Sequence, residues 1–309
     1  MYVFFVISGF LIAKSYSMQD HLFIYFIARI LRIYPALIVA ILFCALIVGG
    51  LTTTLPKIQY YQDPVILSYI IGNATLLHIQ FTLPGVFSNN PYANAVNGSI
   101  WTLPLEMTMY IIVALIGILG FFKTRLAANL VIFIGISVFS ILYFHFGLLN
   151  HRIPIWGITP MLGFFLGVLI FINEDYIPLN FFLGCFLIVI SFLLSHSSIH
   201  SLIEYITLGY WVFLIAYRLP LQKKWITQYG DFSYGIYIFA FPVQQSLVYY
   251  LHIINPWYLF ILALPITSIL AIFSWYCIEQ PALKLKIKVW LALKSLPSDK
   301  LLTLLGIHH

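Results

Sequence analysis

From Ile33 to Leu51 the chain carries no charged side chain, and uncharged apolar runs of similar length recur at Ala127–Leu148 and Trp257–Ile278. Each run matches the roughly 20 residues of helix that cross a hydrocarbon core about 30 Å thick. They are too long for the alternating strands, about ten residues each, of an outer-membrane barrel. Further spans fall at about Ile100–Phe122, Pro154–Ile172, Pro178–Leu194, Ser201–Tyr217 and Phe232–Leu251. Only 8% of the 309 residues are charged and 62% are hydrophobic, against about 25% charged in a soluble domain. The pattern predicts an all-α fold, a polytopic transmembrane helix bundle in the lipid bilayer.

The opening run, Met1–Ala13, reaches about 20 Å as a helix and reads as a truncated span. It has neither the basic start nor the cleavage site of a signal peptide. Orientation follows from the basic residues. Placing Lys14, Arg29, Arg32, Lys123, Arg125, Arg218, Lys223, Lys224 and the lysines at 284, 286, 288, 294 and 300 in the cytoplasm puts thirteen of fifteen inside. Lys57 and Arg152 remain outside. That fit requires residues 65–81, broken by Gly72, Asn73, Thr75 and His78, to be re-entrant or interfacial. The expected count is one truncated span plus eight full ones, forming a single domain over residues 1–309. Residues 279–309 form its cytoplasmic amphipathic tail. The +6 charge lies in short clusters between apolar runs, which speaks for lipid or phosphorylated ligands and against nucleic acid. Cys44, Cys185 and Cys277 are far apart, with no metal-ligand or disulfide spacing.

A few polar residues interrupt the apolar runs. Glu106 stands about two turns into a helix opening near Ile100, and an ionisable group at that depth reads as functional by default. The alternative is a carboxylate at a helix start, favoured by the dipole. Arg29 and Arg32 share a helical face and can hold phosphate groups; equally, they can anchor a helix end on the cytoplasmic side. Trp101 can stack on a sugar or sit at the interface. Ser233 and Tyr234 can donate to a substrate or join helices. Gln244 and Gln245 are polar inside a span, and Glu204 reads as structurally paired. Gly9, Gly163, Gly167 and Gly235 read as sites of close helix packing.

Five stretches resemble, in order, the acyltransferase-3 family of polytopic membrane O-acyltransferases. Phe4–Ile12 is similar to that family's second-helix motif. Arg29-Ile-Leu-Arg32-Ile-Tyr-Pro35 resembles its Arg-x-x-Arg-Ile-Tyr-Pro element. Asn97-Gly-Ser-Ile-Trp101 through Glu106 resembles its Asn-Gly-Ser-hydrophobic-Trp-x-Leu-x-x-Glu element. Ser233–Tyr237 with Phe241–Gln245 looks like its late helix, and Trp275–Pro281 like its closing Glu-x-Pro segment. The resemblance implies transfer of an acyl group, usually acetyl, from acyl-CoA (acetyl-CoA) to a hydroxyl of a glycan or lipid-linked sugar acceptor. It implies a multi-pass protein of the bacterial inner membrane. Acyl-CoA enters as donor substrate, with no cofactor bound.

On that reading Glu106 is the catalytic carboxylate and Arg29 and Arg32 hold the CoA phosphates. Asn97, Trp101, Ser233, Tyr234 and Gln244 line the substrate. The chain departs from the family by beginning at the second-helix motif, so the first helix and its catalytic His are expected to be missing. None of the histidines stands in for it; His21 falls on the cytoplasmic side and His78 reads as a loop residue. Ala240 stands where many members carry His. Alternatives are a transporter or flippase of a lipid-linked sugar, and a truncated inactive remnant.

Overall fold

Helix boundaries in the computed structural model follow from local side-chain chemistry. Asp63 accepts the Val65 amide at 2.9 Å ahead of Pro64. Asn180 accepts that of Phe182 at 2.8 Å, and Asn255 caps a helix that opens on Pro256. Each cap satisfies an amide that a helix start leaves without a partner, and a proline there has no amide to lose. The structure describes residues 2–18, 21–145, 155–197, 200–218 and 229–286. Among these, helix is the only extended regular structure, beside the isolated bridges Thr53–Val86 and Thr82–Ala95.

The helices are α1 (Tyr2–Ser17), α2 (Leu22–Leu42), α3 (Gly49–Thr52), α4 (Lys57–Gln62), α5 (Pro64–Thr75) and α6 (Leu103–Ile118). They continue with α7 (Arg125–Ser140), α8 (Ile155–Ile172), α9 (Phe181–Leu193), α10 (His200–Arg218), α11 (Ser233–Leu251) and α12 (Pro256–Ser274). Among the described residues, Leu22–Thr52, Gly98–Ile118, Arg125–Tyr143 and Pro256–Lys286 are long and apolar enough to cross a membrane. Val3–Ser17, Pro64–Thr75, Ile158–Ile172 and Phe181–Leu193 are shorter apolar helices. The fold is an all-α membrane helix bundle. The twelve residues of α5 extend about 18 Å, too short to span. The chain then turns at Leu76 with φ 56°, in keeping with a re-entrant or interfacial segment.

Two spans run further than the apolar pattern indicates. The sequence alone starts a span near Ile33 with Pro35 in its first turn; the helix instead opens at Leu22, and Pro35 lies in its interior. It continues through a π turn (Phe43–Val48) and α3 for 31 residues in all. That is about 46 Å of helix against a core of about 30 Å, so Arg29 and Arg32 belong to the part that leaves the apolar layer. Likewise α12 continues through a π turn (Trp275–Glu279) to Lys286. Glu279 is therefore not the start of a separate tail helix, and Lys288, Lys294 and Lys300 lie outside the described residues. So do Arg152, Lys223 and Lys224.

The chain divides into two compact units, each drawn from two stretches: Met1–Leu22 with Leu105–Ile226, and Phe23–Pro104 with Thr227–His309. In the first, α1 and α8 touch backbone to backbone. A Cβ on Gly9 would stand 1.8 Å from the Phe164 carbonyl oxygen, and one on Gly167 2.0 Å from that of Val6. Val6, Phe10 and Phe213 form a core beside this crossing. In the second unit, Gly235 brings α11 against α12, where its Cβ would meet the Ala271 Cα at 2.9 Å. The Tyr60 and Tyr61 hydroxyls donate to the Ala45 and Leu46 carbonyls at 2.7 and 2.8 Å, anchoring α4 to the π turn.

Candidate functional site

Gly98–Thr102 forms a tight 3-10 turn capped by Asn97, and α6 proper opens at Leu103 with Pro104 behind it. Glu106 therefore lies in the first turn of α6 rather than two turns into a longer helix, because the 3-10 turn takes up the preceding residues. The positive end of the helix favours its charge. Glu106 is also buried, at 7% exposure. Its Oε1 accepts a hydrogen bond from the Tyr110 hydroxyl one turn on, and a long one of 3.5 Å from Ser8 Oγ of α1. The first unit thus brings the motif at residues 4–12 to Glu106, the last residue of the motif at 97–106. Tyr110 is legible as the i+4 neighbour; Ser8, 98 residues away, is not. A buried carboxylate held by hydroxyl donors can take a proton from an approaching hydroxyl.

The second unit is organised around Arg32. Its Nη2 meets Asp231 Oδ2 at 2.7 Å and its Nη1 meets Glu279 Oε2 at 3.0 Å. The guanidinium also lies over the rings of Tyr234 and Trp275, at 5.7 and 5.9 Å. Glu279 is fully buried and accepts from Ser274 Oγ at 2.9 Å. Asp231 accepts the amide and hydroxyl of Ser233 at 3.2 and 2.5 Å, which starts α11. The Tyr234 hydroxyl donates to the Ile33 carbonyl at 3.0 Å. Of the two residues expected to line substrate, Ser233 is exposed and gives its hydroxyl to Asp231, while Tyr234 is buried and gives its hydroxyl to the fold. Arg32, expected to hold phosphate, faces two carboxylates. Arg29, one turn away and half-buried, has its guanidinium 5.9 Å from the Tyr25 ring centre.

Asn97 has a structural task of its own. Pro242 lies inside α11 and has no amide hydrogen, so the carbonyl of Ile238, four residues back, loses its helical donor. Asn97 Nδ2 supplies that donor at 2.9 Å while its Oδ1 accepts the Ser99 amide at 3.0 Å. Nearby, Gln245 donates to the Tyr92 and Ala95 carbonyls, both at 2.7 Å, and accepts from Asn90 at 3.1 Å. Gln245 therefore ties the loop before α6 to α11. Its neighbour Gln244 is half-buried and makes no hydrogen bond among the described residues, and Trp101 is half-buried. His78 is exposed after α5, and Glu204 stands 4.0 Å from His200.

Replacing Asn97 by alanine leaves a buried carbonyl without a donor, a loss of about 1–3 kcal/mol. Thermal unfolding in detergent measures it. In Asn97→Ala with Pro242→Ala, the restored amide at 242 recovers part of that loss. Strictly additive destabilisation would break the proposed link between the two residues.

Residues 1–278 match the family described as "Acyltransferase domain". Nodulation protein 10 of Rhizobium leguminosarum bv. viciae is 27% identical over 307 residues, covering 92% of this chain and 82% of the relative. An O-acetyl transferase of Shigella phage Sf6 is 27% identical over 260 residues, covering 81% of this chain and 74% of the relative. No solved structure matches the chain at a significant level.

Proposed function

The chain belongs to this acyltransferase family as an integral membrane O-acyltransferase, and from that premise we propose that it moves an acetyl group from acetyl-CoA to a hydroxyl of a surface or cell-wall glycan. Similarity to a protein named an O-acetyl transferase supports acetyl as the transferred group. The observation that carries the reading is Glu106, buried in the first unit between the Tyr110 and Ser8 hydroxyls.

Glu106 accepts the proton of the sugar hydroxyl as that oxygen attacks the thioester carbonyl. The carbon–sulfur bond then breaks, and CoA leaves as a thiolate that takes up a proton. The net change is thioester plus alcohol to ester plus thiol. Within the second unit, the half-buried Trp101 and Gln244 carry a ring face and an amide of the kind that suits a sugar. Arg29 meets donor phosphate on the cytoplasmic side, in a bacterial inner membrane. Its planar fork of donors suits phosphate oxygens.

The test is transfer by the purified full chain in proteoliposomes, given acetyl-labelled acetyl-CoA and a lipid-linked oligosaccharide. Label is expected in the glycan as an ester released by mild alkali. Transport of the lipid-linked sugar with no consumption of acetyl-CoA would overturn the acyltransfer reading in favour of a flippase.

A further inference from the structure

The 3.0 Å contact between Arg32 Nη1 and Glu279 Oε2 fixes where the helix Leu22–Thr52 meets the helix Pro256–Lys286 in the second unit. Arg29 stands three residues from Arg32 toward the Leu22 end, one turn along and on the same face. Lys286 stands seven residues beyond Glu279, about two turns along and again on the same face. Both directions lead to the side on which the basic residues gather, the cytoplasmic side under the positive-inside rule. Shared phase on two helices that touch at Arg32 and Glu279 sets the two cations at neighbouring positions.

The chemistry of the two neighbouring sites differs. Arg32 is matched by Asp231 and Glu279 and has no net positive charge to offer an anion. Lys286 is half-buried and forms no salt bridge among the described residues. An anion placed between two cations is held by both. An arginine fork beside a lysine point charge is a combination that fits a phosphate.

We propose that Arg29 and Lys286 together form the phosphate-binding pair of this chain, with Arg32 locked into its carboxylates beside them. This deepens the acyl-CoA reading and rests on it for the identity of the ligand. The shared chemistry is a phosphate group, carried either by CoA or by an anionic lipid headgroup. The full chain in nanodiscs is tested for binding of CoA and of pantetheine, which lacks the nucleotide phosphates. In parallel it is tested for retention of phosphatidylglycerol over phosphatidylcholine.

Lys286→Ala and Arg29→Ala are each expected to weaken CoA binding roughly 10- to 100-fold. Pantetheine binding should stay unchanged, and Lys286→Arg should retain most of the CoA affinity. A loss of phosphatidylglycerol preference in both variants, with CoA binding intact, assigns the same phosphate site to lipid. Wild-type affinity of Lys286→Ala in both arms overturns the Lys286 site while leaving acyl-CoA as donor. Wild-type chain that binds no CoA refutes the donor reading instead, and the lipid arm still decides Lys286.

Discussion

Glutamine in place of Glu106 is expected to slow acyl transfer by about 10²- to 10⁴-fold, the range for removing a general base. The substitution keeps the volume of the side chain and one oxygen able to accept from Tyr110 and Ser8. What it removes is the negative charge and the basicity. Two roles for Glu106 predict different results. If the carboxylate only complements the start of α6, the charge is worth about 0.3–1 kcal/mol of stability and the rate should hardly move. If it takes the proton of the acceptor hydroxyl, kcat falls while the unfolding temperature in detergent stays nearly constant. Tyr110→Phe removes one donor to Oε1 and should give a smaller loss in kcat. A Glu106→Gln protein with wild-type turnover would remove Glu106 from the chemistry.

The length of the apolar runs made the helical membrane class legible before any coordinates. The boundaries were less so. Arg29, Arg32 and Pro35 look like the surface segment before a span, yet they lie within one helix that is longer than the hydrocarbon layer. The charges mark where that helix leaves lipid, not where it begins. The π turns at Phe43–Val48 and Trp275–Glu279 leave no trace in hydropathy, which reports apolar content and a regular period only.

The candidate site divides in the same way. Glu106 was found by its depth in an apolar run. Ser8, Asp231 and Glu279 were missed as partners because they lie 98, 199 and 247 residues from the groups they meet. Asp231 had a usable local signal, a carboxylate two residues before the Ser that opens α11. Asn97 and Tyr234 show the opposite difficulty. The side chains that suit a sugar hydroxyl also suit a bare backbone amide or carbonyl, and sequence cannot say which is nearer. Pro242 held the missing clue for Asn97, since a proline inside a buried helix always leaves a carbonyl to be satisfied from elsewhere.

Loss of Arg32 is expected to have the largest effect on stability. Its side chain is 23% exposed and pairs with a Glu279 side chain that is fully buried, whereas the Asp231 contact, with that side chain 57% exposed, is screened by solvent. In Arg32→Ala the Glu279 carboxylate keeps, among the described residues, only the Ser274 hydroxyl, and breaking a buried pair from one side costs about 3–5 kcal/mol. Three segments that meet at this guanidinium, Arg29–Pro35, Asp231–Tyr237 and Trp275–Pro281, should loosen together, seen as a lower unfolding temperature and faster proteolysis near Asp231. A second variant separates ion pairing from site chemistry. Replacing both partners, Arg32→Met with Glu279→Leu, removes the stranded charge and should recover most of the lost stability. If Arg32 has no further role, the double variant also recovers CoA binding through Arg29 and Lys286. A double variant that is stable yet has lost CoA affinity would instead return Arg32 to the phosphate site. Arg32→Ala as stable as wild type would show that the ion pair does not hold these segments together.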